Sequence, residues 1–152
     1  MKIFSNYVGI DVSKKTLDVV LHNTVLKNKS PHLKVSNTKT GHNGIMNWLN
    51  SYSVSPKDTL FCMEYTGIYS NEIASFLYQK GLSYTLVSPL HMKRSMGLVR
   101  GKNDKADAYY IARYCYTHKD ELVCAKGTLK ALRDIKCLIS ERMRLTKLSA
   151  AN

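Results

Sequence analysis

The stretch YVGIDVSKKTLDVVLH, residues 7–22, reads as two apolar runs, 7–12 and 16–22, joined by the polar turn SKK. Short apolar segments on either side of a tight polar turn are the pattern of an antiparallel hairpin. Near the end of the first run stands an acid, Asp11, between Ile10 and Val12. Burying an unpaired carboxylate is expensive, so such a position needs a cation, a hydrogen-bond network or an exposed rim.

Working outward, HLKVS (32–36) predicts a third strand with only Leu33 and Val35 apolar, which suits a sheet edge. A short helix is expected over 44–51, where Ile45, Trp48 and Leu49 recur at i, i+3, i+4. TLFCME (59–64) is a fourth strand that closes on a second acid, Glu64. Residues 69–79 predict a helix with Ile73, Phe76 and Leu77 as its apolar stripe and Gly81 as its stop. A fifth strand follows at 83–87, ended by Pro89. The next segment is basic at first and then amphipathic and helical over 104–118. Residues 129–148 carry Leu129, Leu132, Ile135, Ile139, Met143 and Leu148, spaced as a helix with a heptad-like seam. The order β-β-β-α-β-α-β-α-α resembles that of the ribonuclease H fold. Such a fold is an α/β architecture with a mixed five-stranded sheet ordered 3-2-1-4-5, flanked by helices. Strands one and four are then parallel neighbours, and the crevice at such a switch in direction is where α/β sheets place ligands.

The chain has 152 residues, about one domain, and its 44% hydrophobic content suffices for a core. No apolar run reaches the roughly 18 residues of a membrane span, and the N-terminus enters a strand pattern directly. A cytoplasmic location without membrane contact is expected. The cysteines Cys62, Cys115, Cys124 and Cys137 form no C-x-x-C pair, and the histidines lack ligand spacing, so neither zinc nor a disulfide framework is suggested. Lys and Arg outnumber Asp and Glu by 23 to 11, a formal charge of +12. An excess of that size is the electrostatic footprint of a polyanion binder.

Against that basic background the acids stand out. If strands one and four are adjacent and parallel, Asp11 and Glu64 reach the same end of the sheet, where mutual repulsion calls for a cation. In GKNDKADAYY, Asp104 and Asp107 lie three apart at the start of a helix, on one face. Taken alone, that pair also fits ordinary capping, with Asn103 or Asp104 as the N-cap. Together the four suit two divalent metals about 3.5–4 Å apart that clamp the oxygens of a phosphodiester. Mg²⁺ is the expected ion, with Mn²⁺ as its substitute, because both accept hard oxygen ligands.

YVGIDVSKKTLDVVL, MEYTGIYS and KNDKADAYYIARY resemble the three motif blocks of the DEDD transposases of bacterial insertion sequences, the group that includes the pilin-gene invertases. The resemblance runs from residue 7 to about residue 118 and implies an N-terminal RuvC-like domain whose catalytic, metal-binding tetrad is Asp11, Glu64, Asp104 and Asp107. It implies a DNA transposase or site-specific recombinase that cleaves and exchanges strands. DNA is the implied partner, and a guide RNA is a further one, because some members are RNA-guided. It also implies a catalytic domain over 1–125 and the start of a helical or coiled-coil linker over 126–152. The second, serine-bearing domain of the family has no counterpart in these residues, so the fragment is expected to be incomplete for recombination. The 129–148 helix is expected to join copies of the chain into a homo-dimer or higher oligomer.

Lys93, Arg94, Arg100, Lys102 and Lys105 border the late aspartates and are expected to contact phosphates. Thr66 and Gly67, after Glu64, open a helix whose amides suit a phosphate or a simple cap equally well. Asp18 alternates with Leu17 and Val19 and reads as a solvent-facing structural position outside the site. Tyr110, Ile111, Tyr114 and Cys115 have core spacing, leaving one or two tyrosines to stack on bases. Two alternatives share the acids or the charge: a stand-alone Holliday-junction-type endonuclease, and a non-catalytic nucleic-acid-binding dimerisation module. A sugar-kinase or actin-like ATPase lobe, suggested loosely by GIDVSKKT, needs a second Gly-rich phosphate loop that the sequence lacks.

Overall fold

A computed structural model describes residues 3–23, 29–65, 67–96, 103–127 and 130–150. Five strands, β1 (Asn6–Val12), β2 (Thr16–Asn23), β3 (His32–Ser36), β4 (Thr59–Glu64) and β5 (Ser83–Val87), form one sheet in the order β3-β2-β1-β4-β5. β1 pairs antiparallel with β2 and parallel with β4; β2 and β3 are antiparallel, β4 and β5 parallel. The helices are α1 (Lys39–Ser51), α2 (Asn71–Gln79), α3 (Pro89–Met96), α4 (Asp104–Thr117) and α5 (Lys130–Ala150). None is long and apolar enough to cross a membrane among the described residues.

The strands carry apolar residues on both faces because helices cover both, as the parallel core of an α/β sheet requires. Val8, Ile10 and Val12 of β1, Leu17, Val19 and Leu21 of β2, and Phe61 and Met63 of β4 point to one side. There they join Ile45 and Leu49 of α1 and Ile73 and Leu77 of α2 in the larger core. The opposite face sends Tyr7, Leu60 and Cys62 against Met92 of α3 and Ile111 and Cys115 of α4. Asp11 and Glu64 belong by alternation to this second face, the one α4 covers.

Gly9 sets how closely α4 lies. A Cβ built on it would stand 2.1 Å from the Ala108 carbonyl oxygen and 2.4 Å from the Ala112 amide nitrogen, so the strand backbone touches the helix backbone directly. Ala108 and Ala112, both fully buried, complete that seam of small residues. Only glycine on the strand permits this approach.

Two helices differ from expectation. α1 starts at Lys39 and not at residue 44, because Thr38 caps it, its hydroxyl accepting from the Gly41 amide at 3.3 Å. The glycines at 41 and 44 mask that first turn, since they lower intrinsic helicity, while capping and packing on β3 override the propensity. Pro89 opens α3 as well as ending β5: the ring suits a first helical turn, where an amide would be unsatisfied anyway. Gly81, with φ of +65°, follows the end of α2 in the left-handed conformation that a helix stop favours.

Candidate functional site

The parallel register pairs Ile10 with Met63, so Asp11 and Glu64 come next on adjacent strands, at the same end and on the same face of the sheet. α4 crosses that face and brings its first turn over it. Asn103 is the N-cap, its side-chain oxygen accepting from the Ala106 amide at 2.8 Å. Because Asn103 does the capping, the carboxylates of Asp104 and Asp107 are not needed for that role. Asp104 is exposed, whereas Asp107, Asp11 and Glu64 are half-buried.

The charges of the acids meet at Asp11. Asp11 is pushed up to about 6, first by burial and then by the negative charges of Asp107, Asp104, Asp18 and Glu64, in that order. The other three acids singled out in the sequence thus all lie within electrostatic range of Asp11. Among the described residues, no cation pairs with Asp11, Glu64 or Asp107. The side chains nonetheless stop short of a closed centre: no three His, Cys, Asp or Glu groups among the described residues converge tightly enough to hold a metal as they stand.

Asp18 corrects the expectation from sequence. It is 4% exposed, not solvent-facing, and it stands directly across from Asp11 in the β1–β2 register. Cross-strand partners share a face, so it lies on the acidic side of the sheet, under α4. His32 Nε2 lies 2.7 Å from its Oδ1 and Lys34 Nζ 3.3 Å from its Oδ2. Lys34 is itself the cross-strand partner of Asp18 and reaches on to Asp104 Oδ2 at 3.4 Å. Alternation misleads here because both faces of the sheet are covered: a polar residue between apolar ones then marks the other buried face, not water. The available signal was the pairing of Asp18 with a strand carrying His32 and Lys34 two residues apart.

Of the basic residues, Lys93 and Arg94 are exposed in the last turn of α3, and Lys105 is exposed in the first turn of α4. Arg100 and Lys102 lie outside the described residues, as do Thr66 and Leu129. Ile111 and Cys115 are core, with Tyr110 and Tyr114 partly buried at their side, and Tyr114 stacks on His118 with ring centroids 4.2 Å apart. Cys62 is fully buried and its thiol is pushed well above the ordinary value by burial, which fits a packing role.

The sheet order and the helices define the class: the fold is that of RuvC, a ribonuclease H-like domain. Thermus thermophilus RuvC superposes with a TM-score of 0.52 at 10% identity, covering 79% of this chain and 99% of that one; that structure was solved in complex with a Holliday junction substrate. A second RuvC structure from the same organism gives 0.51 at 11% identity over the same shares. The chain belongs to the IS110-type DEDD transposase family, whose model, described as transposase, matches residues 8–152. The pilin gene-inverting proteins of Moraxella bovis and Moraxella lacunata are each 28% identical over 113 residues, 71% of this chain and 33% of theirs. The chain therefore spans about a third of the length of those curated relatives.

Proposed function

We propose that this chain is the metal-dependent, strand-cleaving part of a DNA recombinase, with Asp11, Glu64, Asp104 and Asp107 as its metal-holding catalytic tetrad. The observation that carries this reading is the gathering of four acids from β1, β4 and α4 at one end of the sheet, around a carboxyl raised first by burial and then by the charges of its neighbours. A donor set made wholly of carboxylates and carrying surplus negative charge fits a hard divalent cation, Mg²⁺ or Mn²⁺. Divalent cations bound there supply Lewis-acid charge to the oxygens of a phosphodiester. The chain's own residues do the rest. β1 and β4 hold Asp11 and Glu64 rigidly on strands, and α4 carries Asp104 and Asp107 across to them. Lys93, Arg94 and Lys105, with Arg100 and Lys102 between them in sequence, would grip the flanking phosphates.

DNA is the polyanion this charge pattern suits, and branched DNA is the substrate to try first, given the junction bound by the RuvC neighbour. Family kinship extends the proposal to RNA as a guide, to the cytoplasm as the location, and to residues 126–152 as the beginning of a linker. It also extends to oligomers: Ile135, Ile139 and Met143 of α5 are exposed and recur at i, i+4 and i+8, an apolar stripe that would suit a second copy.

The test is Mn²⁺ binding by calorimetry, alongside nicking of branched DNA, for the wild type, Asp11→Asn, Glu64→Gln and Asp107→Asn. Each substitution is expected to weaken Mn²⁺ by about tenfold or more and to remove metal-dependent nicking. Wild-type affinity in all three variants would overturn the tetrad. The basic face is tested separately: replacing Lys93, Arg94 and Lys105 together by Gln should lower the slope of log K against log salt by about 2–3. An unchanged slope would remove these residues from the interface.

A further inference from the structure

Asp11, Asp18 and Lys34 form one cross-strand row from the centre of the sheet to its edge: Asp11 pairs with Asp18, and Asp18 with Lys34. The carboxylate of Asp18 is buried and fixed, because His32 and Lys34 hold its two oxygens at 2.7 and 3.3 Å. Lys34 is different, with a side chain that is 52% exposed and an ammonium shared between buried Asp18 and exposed Asp104 at 3.4 Å. No other lysine or arginine among the described residues makes an ion pair with the acids of this face.

We propose that Lys34 is the resident counter-ion of the acidic site, anchored on Asp18 and competing with a divalent cation for Asp104. The proposal rests on the tetrad reading above. Its chemistry follows from the donor set. A carboxylate oxygen that accepts from an ammonium is less available to a metal, and an ammonium beside the site repels an incoming cation. Asp18 makes the arrangement a built one, since the buried carboxylate keeps the lysine stem lying over β2 whether or not Asp104 is engaged. His32, on the same strand and face, holds the other oxygen of Asp18 at 2.7 Å and fixes the carboxylate on which the lysine is anchored. Lys34 is thus a positioning residue: it ties the first turn of α4 to the sheet edge and sets how readily Asp104 is released.

The experiment compares Mn²⁺ binding to the whole 152-residue chain, by calorimetry and by electron paramagnetic resonance of free Mn²⁺, for the wild type, Lys34→Met, Lys34→Arg and Asp107→Asn. Methionine keeps an unbranched stem on an exposed edge position, so folding is expected to survive, and circular dichroism checks it. Lys34→Met should tighten Mn²⁺ about three- to fivefold, while Lys34→Arg, which keeps the charge, should stay near the wild type. Unchanged or weaker binding in Lys34→Met, with Asp107→Asn still weakening it about tenfold or more, overturns the counter-ion and leaves the tetrad standing. Absence of Mn²⁺ binding in both the wild type and Lys34→Met overturns both.

Discussion

Gly9→Ala is expected to destabilise the fold by about 3 kcal/mol or more, lowering Tm by about 6–12 °C, and to abolish divalent-cation binding. The new methyl group would meet the Ala108 carbonyl oxygen at 2.1 Å and the Ala112 amide nitrogen at 2.4 Å. These are backbone atoms of a helix, so no rotamer change relieves the overlap and α4 must move off the sheet as a body. Movement of that kind opens the contact between Cys62, Ile111 and Cys115 in the smaller core. It also lifts Asp104 and Asp107 away from Asp11, which is why one methyl group on a strand is expected to silence a site made by other residues. Gly44→Ala, on α1, is the matched control: the nearest atom to its new methyl is Val35 Cγ1 of β3 at 3.7 Å, an ordinary contact. That variant should be neutral or stabilised by up to about 1 kcal/mol from helix propensity. Thermal melts of the two variants side by side decide the matter, and equal Tm values would show that α4 does not rest on Gly9.

The chain order of strands and helices was legible because most elements carry their own signal. β1 and β4 are short apolar runs bounded by polar turns, and α2 has a clean stripe ending at Gly81. The common placement of Asp11 and Glu64 at one end of the sheet was legible because acids are scarce in a basic chain and these two stand at or next to the ends of apolar strands. Asp18 was not legible. Its alternation with Leu17 and Val19 is the same whether the other face meets water or a helix, and only the position of α4 distinguishes them. Lys34 was missed for a related reason: on an edge strand it looks like any solubilising lysine, and its role depends on β2 placing Asp18 opposite and α4 placing Asp104 above. The early start of α1 was hidden by glycines whose poor propensity is outweighed by the Thr38 cap and by Gly41 packing against the backbone of Ser36.

Asp11→Asn is expected to stabilise the protein at pH 8 without divalent cation and to leave it less stable than the wild type when Mg²⁺ is present at saturating concentration. The folded carboxyl titrates near 6 against an ordinary 3.8, so the native chain holds this proton more tightly than the unfolded one. Its contribution is fully present below about pH 3.8 and is lost as pH rises through about 6, because the unfolded chain then releases the proton at lower pH than the native one. Above that window the wild type carries an uncompensated charge among Asp107, Asp104, Asp18 and Glu64, and an amide removes it. A half-buried group retains solvent screening, so the gain is about 1–2 kcal/mol, or roughly 3–6 °C in Tm for a chain of this length. At pH 4 the difference should be largely gone, since the folded carboxyl is then neutral and only the unfolded one is part-ionised. Saturating Mg²⁺ reverses the order, because an ion that binds the native wild type and not the variant stabilises only the former. The cause is checked by Asp107→Asn, which removes the largest of the charges acting on Asp11 and should bring its carboxyl back toward the ordinary range, read by carbon-13 NMR of the side chain. If Asp11→Asn lowers Tm equally at pH 4 and pH 8, with and without Mg²⁺, the residue is a packing element and the acidic end of the sheet holds no cation.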